Sequence, residues 1–552
     1  DQHTWTDLNG VRYAAIGTDR KLYIYTEGTA YDVTPIRRGP TALTNPFTTN
    51  GTNNVTVADT GHNAIQGDFV TFDSFSTIDG LDMNNEFEIT SITNANSYVV
   101  THTDTATGST SGGGGTGNAN YQISIGQETS TYGYGWGTDA WNVDAWNTPR
   151  STSTVTIDGR NWSFDTFGED LIATVHKGKT FRWDTSSGTS TRAAVITQAP
   201  TSSRFNLVSM PDRHVFLFGT ETTIGTASTQ DDLFLRFSSQ EDFTDWTPAA
   251  TNTAGSFRIQ DGSKIVAAER SRNAVLVWTD TSLHALQFVG APFTFSLVQL
   301  GGGCGAVGVH SAVDINGVAY WMSQNAFFLY DGTIRKLPCS VQDFVFEDFS
   351  AAHQPETYAG VNSEFNEITW FYASADSNYL DRSVTYNYLE KTWYTNTLAR
   401  TTWTDYGVYQ KPYATLYSPT ATATTPTVLG LTDGATTYYE HETGTDDDLT
   451  AMTAFIQSGD FDIQDGQQLL HISRGIPDFK DQAGNATITM NFKTYPNSSS
   501  STTVSRTVSS TTTKFDLRGR GRQTNLKIES TALGANWRYG TLRLDVQPDG
   551  GR

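Results

Sequence analysis

The sequence has little cysteine, no long apolar run and few of the residues that favour helices. Two cysteines among 552 residues, Cys304 and Cys339, exclude a disulfide framework and a cysteine-rich zinc site. No run of 18 apolar residues occurs, so no membrane-spanning helix is expected. Ser, Thr, Asn and Gly fill the polar positions and aromatics reach 12%, which favours strands and turns. We therefore predict an all-β protein of several domains, because 552 residues exceed one ordinary core.

Positive charge is scarce as well. The net charge is −22, and no Lys or Arg occurs between Arg38 and Arg150. Binding to nucleic acid depends on cations that displace counterions, so tight DNA binding is not expected of most of this chain. The segment from Ser501 to Arg552 is the exception, with nine Lys/Arg, four Asp/Glu and a net charge of +5.

Short strand–turn–strand patterns recur along the chain. In NAFFLYDGTIRKL from Asn325, two apolar runs flank Asp331-Gly332, which is a strong hairpin signal. Aromatic anchors near similar turns lie 42 to 58 residues apart, with a mean of 51; they are Trp183, Phe237, Phe288, Tyr330, Tyr388 and Tyr438. Four short strands per period is typical of propeller blades, which pack against their neighbours in a ring. We predict a β-propeller of six to seven blades.

Two further domains are expected beside the propeller. Residues 40–126 are rich in Thr, Asn and Gly and carry their own strand pattern, so they are interpreted as a small β-barrel or sandwich that interrupts the first blade. Residues 1–39 and 127–446 then form the propeller, and residues 447–552 a C-terminal β-sandwich. The only helix predicted is one or two turns within SVQDFVFEDFS from Ser340.

No pattern of catalytic or metal-binding residues is evident, so no catalytic residue, cofactor or metal is predicted. GCGAVG from Gly303 matches a nucleotide-binding pattern, but a strand pattern follows it instead of a helix, which favours a turn. TIDGRNW from Thr156 faintly resembles the Asp-box turn of sialidase propellers, but it lacks one residue and does not recur. A carboxylate pair for glycoside hydrolysis would escape notice, because a sequence does not show distances in space.

Two aromatic or charged segments are ambiguous. The tryptophans between Trp136 and Trp146 suit either an aromatic ligand platform or, as we favour, a packed loop. The basic segment RGRGRQTNLKIES, with the later WRYG, suits a contact with phosphate or an acidic partner or, equally, solvated arginines on a β-turn. Its candidate subunit or partner contacts are Arg518, Arg520, Arg522, Lys527 and Arg538.

Several stretches resemble the tail nozzle (hub) proteins of short-tailed bacteriophages. They are VRYAAIGTDRKLYIY, IQGDFVTF, NEFEITSITNANSY, GYGWGTDAW, FGEDLIATVHKGKTFRWD, GCGAVGVHSAVDINGVAYWMSQNAFFLYDG, FIQSGDFDI, RGRGRQTNLKIES and WRYGTLRLDVQPDGGR, together about a quarter of the chain and spread over all three predicted domains. The resemblance implies a propeller body in a homo-oligomeric ring of six copies, without catalysis. It also implies adaptor or portal, tail fibre and tail needle proteins as partners.

Double-stranded DNA would pass through such a ring without specific binding, and the protein would reside in the virion tail after assembly in the bacterial cytoplasm. Such proteins usually have residues before the point where this sequence starts, which leaves adaptor docking open. The alternative is a propeller-type glycan-binding or glycan-degrading phage tail protein. Oligomeric state separates the two, because tailspikes that degrade sugars favour intertwined trimers and a nozzle needs a larger ring.

Overall fold

Tight turns divide the chain into short antiparallel sheets, as its glycine, asparagine and aspartate content predicts. The computed structural model describes residues 1–128, 130, 158–210, 212–417, 436–447, 449–462, 466–541 and 543–550. The chain divides into two compact units, residues 1–441 and 442–552. The described residues contain little helix, mainly α1 (Gln342–Glu347) and the 3-10 turns Thr185–Ser187, Ala227–Thr229 and Gln354–Glu356. No helix within those ranges is long and apolar enough to cross a membrane.

In the first unit, the described residues form six four-stranded sheets, one three-stranded sheet and a larger inserted sheet. Sheet 1 consists of β1 (Gln2–Thr6), β2 (Arg12–Gly17), β3 (Leu22–Thr26) and β4 (Thr29–Asp32). The insertion consists of β5 (Ile36–Thr44), β6 (Phe47–Thr48), β7 (Asn54–Ala58), β8 (Phe69–Asp73), β9 (Glu86–Asn94), β10 (Ser97–Thr101), β11 (Ser111–Gly113) and β12 (Thr116–Gln122).

The remaining sheets of this unit follow in chain order, and each is built from consecutive strands. Sheet 2 holds β13 (Trp162–Phe167), β14 (Asp170–Val175), β15 (Thr180–Trp183) and β16 (Ala194–Val195), and sheet 3 holds β17 (Phe205–Val208), β18 (Val215–Phe218), β19 (Phe234–Phe237) and β20 (Gly255–Arg258). Sheet 4 holds β21 (Ile265–Arg270), β22 (Val275–Thr279), β23 (Ser282–Gly290) and β24 (Thr294–Gly302), and sheet 5 holds β25 (Ala312–Ile315), β26 (Val318–Met322), β27 (Phe327–Tyr330) and β28 (Ile334–Leu337). Sheet 6 holds β29 (Tyr358–Asn362), β30 (Glu367–Tyr372), β31 (Arg382–Asn387) and β32 (Thr392–Asn396), and sheet 7 holds β33 (Thr402–Thr404), β34 (Tyr413–Tyr417) and β35 (Thr436–Glu440).

A separate apolar core lies between each sheet and the next, and the contacts return from sheet 7 to sheet 1. This closed order confirms the β-propeller prediction, because a short sheet buries its faces only against its neighbours. Of the aromatic anchors, all but Tyr388 lie on the third strand of successive sheets, and Tyr388 follows β31 directly. The hairpin predicted in NAFFLYDGTIRKL is β27–β28, and its turn contains Gly332 at φ +108°.

Tryptophan indoles tie neighbouring sheets together. Trp162 in sheet 2 donates from Nε1 to the carbonyl of Thr18 beside sheet 1 at 2.8 Å, and Trp403 in sheet 7 donates to the carbonyl of Val361 in sheet 6 at 2.8 Å. Glycine makes room for both rings: a Cβ at Gly17 would lie 2.4 Å from Trp162, and one at Gly360 would lie 2.5 Å from Trp403.

Side chains alone close the ring between sheets 7 and 1, within the described residues. Gln2 of β1 donates from Nε2 to the hydroxyl of Tyr438 at 3.0 Å and accepts from the hydroxyl of Thr402 at 2.7 Å. The ring of Tyr438 also contacts those of Tyr25 and Tyr413 at centroid distances of 5.5 and 5.0 Å. We call this contact the closing seam.

The insertion has its own core. Its strands form one eight-stranded sheet in the order β11-β6-β7-β10-β9-β8-β12-β5, around a cluster that includes Phe72, Tyr98 and Tyr121. It lies between the complete sheet 1 and sheet 2, whereas the sequence placed it within the first blade. Lys21, whose side chain is 1% exposed, joins the two parts through ion pairs with Asp32 and Glu86.

The second unit is a β-sandwich, as predicted. Its strands are β36 (Ala454–Gln457), β37 (Phe461–Asp462), β38 (Leu470–Ile476), β39 (Phe479–Ala483), β40 (Ala486–Lys493), β41 (Thr502–Val508), β42 (Phe515–Gly521), β43 (Gln523–Ser530), β44 (Asn536–Tyr539) and β45 (Arg543–Pro548). A five-stranded sheet around β40 and β43 shares one core with the three-stranded sheet β42-β38-β45.

Candidate functional site

A cavity lies at one end of the sheet ring, where two sets of loops meet. One set precedes the first strands of sheets 2, 3, 5, 6 and 7, and the other joins the second strand to the third in sheets 1, 2, 6 and 7. Because the strands are antiparallel, the start of a first strand and the end of the second strand lie at the same edge of a sheet. The volume of the cavity is about 180 Å³.

Asp158 and His176 form a buried pair in the wall of this cavity. Nε2 of His176 lies 3.0 Å from Oδ2 of Asp158, and the two side chains are 8% and 14% exposed. Burial favours the neutral form of Asp158, but the hydrogen bond with His176 and the charges of Arg204 and Lys177 outweigh it and lower the pKa of Asp158 well below its usual range. Burial also lowers the pKa of His176. Asp158 is therefore a carboxylate at neutral pH, held by a neutral imidazole.

Glu356 presents a second carboxyl group to the cavity. It ends the 3-10 turn before β29, and its Oε1 accepts from the backbone N–H of Ser130 at 2.8 Å. Nδ1 of the buried His353 lies 3.3 Å from the same oxygen. The hydrogen bond with Glu356 raises the pKa of His353 above its ordinary value, so this pair retains a proton to higher pH than an isolated histidine would.

Ser130 connects the loops that carry the two carboxyl groups. Its backbone N–H binds Glu356, and its hydroxyl accepts from the N–H of Gly159 at 3.2 Å. The loop before sheet 2 is thus held beside the loop before sheet 6. Asp158 and Glu356 therefore line the same cavity although 197 residues separate them in the sequence.

Aromatic rings form another part of the wall. The rings of Tyr379 and Tyr417 contact at a centroid distance of 4.9 Å, and the Tyr379 hydroxyl donates to Oε1 of Glu128 at 3.2 Å. Deeper in the cavity, the rings of His310 and Tyr358 lie 5.1 Å apart, and burial lowers the pKa of His310 to about 3. His310 is therefore neutral at physiological pH.

Two arginines line the same space. Arg160 donates to the carbonyl of Ser124, and burial lowers its pKa to about 10. Arg204 has a side chain that is 6% exposed, and its Nη1 lies 3.5 Å from Oδ2 of Asp232. Its Nε has no hydrogen-bond partner among the described residues. The cavity thus combines an ionised carboxylate, a second carboxyl beside a proton-holding histidine, donors and aromatic faces, which suits acid–base chemistry on a polar ligand.

The structure places the predicted contact residues in the second unit, on or next to strands. Arg518 and Arg520 lie in β42, and Arg522 follows it, so the segment is a strand and not the turn that the sequence suggested. The alternation has a packing cause: Gly519 faces the core, where a Cβ would lie 1.9 Å from Phe492.

Four of these five residues have partners within the chain. Nε of Arg520 lies 2.6 Å from Asp549, Arg522 donates to the carbonyls of Gly466 and Gln467, Lys527 lies 2.6 Å from Glu529 and Arg538 lies 3.9 Å from Asp481. Their role as subunit or partner contacts stays a prediction.

Other sequence motifs have structural explanations. GCGAVG connects sheets 4 and 5, and Cβ atoms at Gly305 and Gly308 would meet the backbones of Asp280 and Pro355 at 2.1 and 2.6 Å. It is a close-packed turn, as favoured. Among the described residues, no group of three or more His, Cys, Asp or Glu is arranged to hold a metal ion. The tryptophans from Trp136 to Trp146 and the Pro/Thr segment after Ser418 lie outside the described residues.

Sequence reasoning did not find the cavity residues. Only TIDGRNW, which contains Asp158 and Arg160, gave a signal, through its partial likeness to an Asp-box. Glu356, His176 and His353 belong to no recognisable pattern, because they come from separate loops of the ring.

No protein-family model matches the sequence, and no curated protein does. Among solved structures, the chain is similar to the phage phi92 endosialidase, with 11% identity, a TM-score of 0.21 and coverage of 67% of this chain. That match spans about half, 52%, of the endosialidase chain. An exo-β-1,3-galactanase from Phanerochaete chrysosporium matches with 9% identity, a TM-score of 0.22 and coverage of 70% and 94% of the two chains. AztD from Citrobacter koseri matches with 7% identity, a TM-score of 0.28 and coverage of 73% and 88%.

Two of these proteins are named as enzymes, as is a further similar structure, a glycoside hydrolase. The prediction that this chain is not an enzyme is contradicted by these comparisons. The prediction failed because it required a local motif, whereas carboxyl groups for catalysis can come from distant loops. At TM-scores of 0.28 or below, the comparisons assign no role to any residue, so the function is argued from the cavity itself.

Proposed function

We propose that this protein is a glycan-degrading β-propeller whose cavity binds a saccharide and hydrolyses a glycosidic bond. The observation that carries the proposal is the pair Asp158 and Glu356, two carboxyl groups on one cavity: Asp158 is a carboxylate beside His176, and Glu356 is hydrogen-bonded to His353, which keeps a proton to higher pH. A carboxylate that can accept a proton and a pair that holds one provide the base and the acid that glycoside hydrolysis requires.

In this mechanism the His353–Glu356 pair is the general acid. The proton that the pair holds passes through Glu356 to the leaving glycosidic oxygen as the bond to the anomeric carbon breaks, and His353 is left neutral. Positive charge then develops on the sugar ring. Asp158, ionised in the wall, stabilises that charge and accepts the proton of the water whose oxygen bonds to the anomeric carbon.

The remaining lining suits a sugar ring. Tyr379 and Tyr417 offer ring faces for the apolar C–H face of a pyranose, and Arg204 and Asn161 offer donors for its hydroxyls. The proposed activity belongs to the same broad class as those named for the endosialidase and the galactanase.

The test is release of reducing ends from purified bacterial surface polysaccharides and from defined oligosaccharides. We expect the wild type to cleave at least one of them and Asp158→Asn or Glu356→Gln to lower the rate by about 10²- to 10⁴-fold, the usual contribution of acid–base groups. Arg520→Gln, in the second unit, is the matched control and should leave the rate unchanged. Unchanged rates in both cavity variants, or no cleavage of any substrate, would overturn the proposal.

The phage tail remains the proposed setting of this activity. What supports it is the resemblance of stretches that make up about a quarter of the sequence to tail nozzle proteins, which also makes a hexameric nozzle the second candidate function. Light scattering of the purified protein distinguishes them: a mass of about six chains favours the nozzle, and a monomer or trimer without a larger ring favours the glycan-degrading propeller.

A further inference from the structure

The cavity lining has an excess of negative charge. Apart from Asp1, it presents the four acidic side chains Asp19, Glu128, Asp158 and Glu356, against the two cationic ones of Arg160 and Arg204. No lysine occurs among the described residues of the lining.

Both arginines lie near carboxylates. Arg204 is 3.5 Å from Asp232, which is outside the lining, and Arg160 lies in the fields of Asp19, itself a lining residue, and of Asp68, a fully buried carboxylate. Further cations lie close to the lining: Lys177 is 3.8 Å from Asp158, and Arg20 is 4.0 Å from Asp19. The arginines therefore offer N–H donors without an excess of positive charge.

The charge of the whole first unit reinforces this local balance. Residues 1–441 contain 24 Lys/Arg and 45 Asp/Glu, a net charge of −21. Charges within about 8 Å of a ligand act on it at physiological ionic strength, so acidic groups of the lining and rim repel an anion that enters. The uncharged part of the wall, Tyr379 and Tyr417, favours a ligand surface without charge.

We infer that the cavity selects neutral glycans and rejects acidic ones such as uronic or sialic acid sugars. The inference rests on the proposed function for the nature of the ligand. It adds the substrate class, and it concerns binding, so it can be judged whether or not the bound glycan is cleaved.

The selectivity for neutral glycans is tested by calorimetric titration of matched pairs of sugars into the full-length Glu356→Gln protein, in which cleavage is suppressed. The probes are oligogalacturonides against their methyl esters and sialyllactose against lactose. We expect the neutral member of at least one pair to bind at least about tenfold more tightly at low salt. The difference in affinity between the neutral and the acidic member should decrease at 1 M salt, where the screening length is about 3 Å. Tighter binding of the acidic members, a gap that does not respond to salt, or no binding by any neutral member would overturn the inference.

A charge-neutralising variant provides the second test. Asp19→Asn combined with Glu128→Gln keeps the side-chain shapes and should raise the affinity for the acidic members about tenfold, with the neutral members changed by less than about twofold. The control Asp481→Asn combined with Asp545→Asn removes the same charge from the second unit and should change neither. If the two double variants bound the acidic members with equal affinity, the inference would be contradicted. Selective binding of neutral sugars without any cleavage by the wild type would contradict the hydrolase proposal and leave the inference on selectivity supported.

Discussion

His353 shows how one neighbour sets the protonation of a residue. Its hydrogen bond with Glu356 raises its pKa, so the contribution of this pair to the free energy of unfolding is full below about pH 6.5 and is lost as the pH rises through the folded-state pKa. Glu356→Gln removes the carboxylate, and we expect the pKa of His353 to fall.

Histidine-labelled protein and an NMR titration of the His353 Cε1–H resonance measure this change. Arg520→Gln serves as the control, because it alters a charge in the second unit. An unchanged pKa in Glu356→Gln would show that the proton of His353 does not depend on this carboxylate, and Glu356 would then lose its proposed supply.

Gly360 shows how one neighbouring side chain, that of Trp403, restricts a position through packing. A Cβ there would lie 2.5 Å from the ring of Trp403, which also contacts Phe371 and His441 and has little room to move. We expect Gly360→Ala to destabilise the first unit by about 1–3 kcal/mol, the usual effect of overpacking. Gly302→Ala, where nothing lies within 4 Å, should stay within about 0.5 kcal/mol of the wild type in denaturant unfolding. Equal midpoints for the two variants would contradict this account.

At the scale of elements, the insertion is the most self-contained part of the first unit. Its eight strands surround their own core, and β5 and β12 pair at its base. We expect residues 36–126 expressed alone to unfold cooperatively and to show dispersed amide chemical shifts. Because isolation leaves Glu86 without Lys21, the fragment should be less stable than it is within the chain, and Glu86→Gln should recover part of the loss. A collapsed amide spectrum would contradict independent folding.

The elements, but not the site, could be predicted from the sequence. Hairpins such as β27–β28 are encoded locally, by Asp331-Gly332 between apolar runs, so their positions and the period of the sheets followed from pattern. In β42 the Arg–Gly alternation was interpreted as a possible turn, because nothing local reveals that Phe492 occupies the space above Gly519. Asp158 and Glu356 come to line the same cavity only when the ring closes and Ser130 bridges their loops. A site assembled by closure leaves no contiguous signature.

At the scale of the whole molecule, the two units have separate cores and should unfold separately. We expect two transitions in calorimetry. Gly519→Ala, which forces a Cβ against Phe492, should lower only the midpoint of the second unit, while Gly360→Ala should lower only that of the first. Phe492→Leu added to Gly519→Ala should restore part of the loss. A single transition that both variants shift together would contradict this independence.

The closing seam is the place where the ring of sheets can open without breaking a sheet. Among the described residues, no strand from one end of the propeller completes a sheet at the other, so Gln2, Thr402 and the tyrosines around Tyr438 carry the closure. Parting any single sheet would break a ladder of backbone hydrogen bonds, whereas parting sheets 7 and 1 would break side-chain contacts only. Mechanical force on the ring, whether from a pulled polymer or from crowding at the axis, should therefore separate sheets 7 and 1 first. The backbone hydrogen bonds within each sheet should break only at higher force.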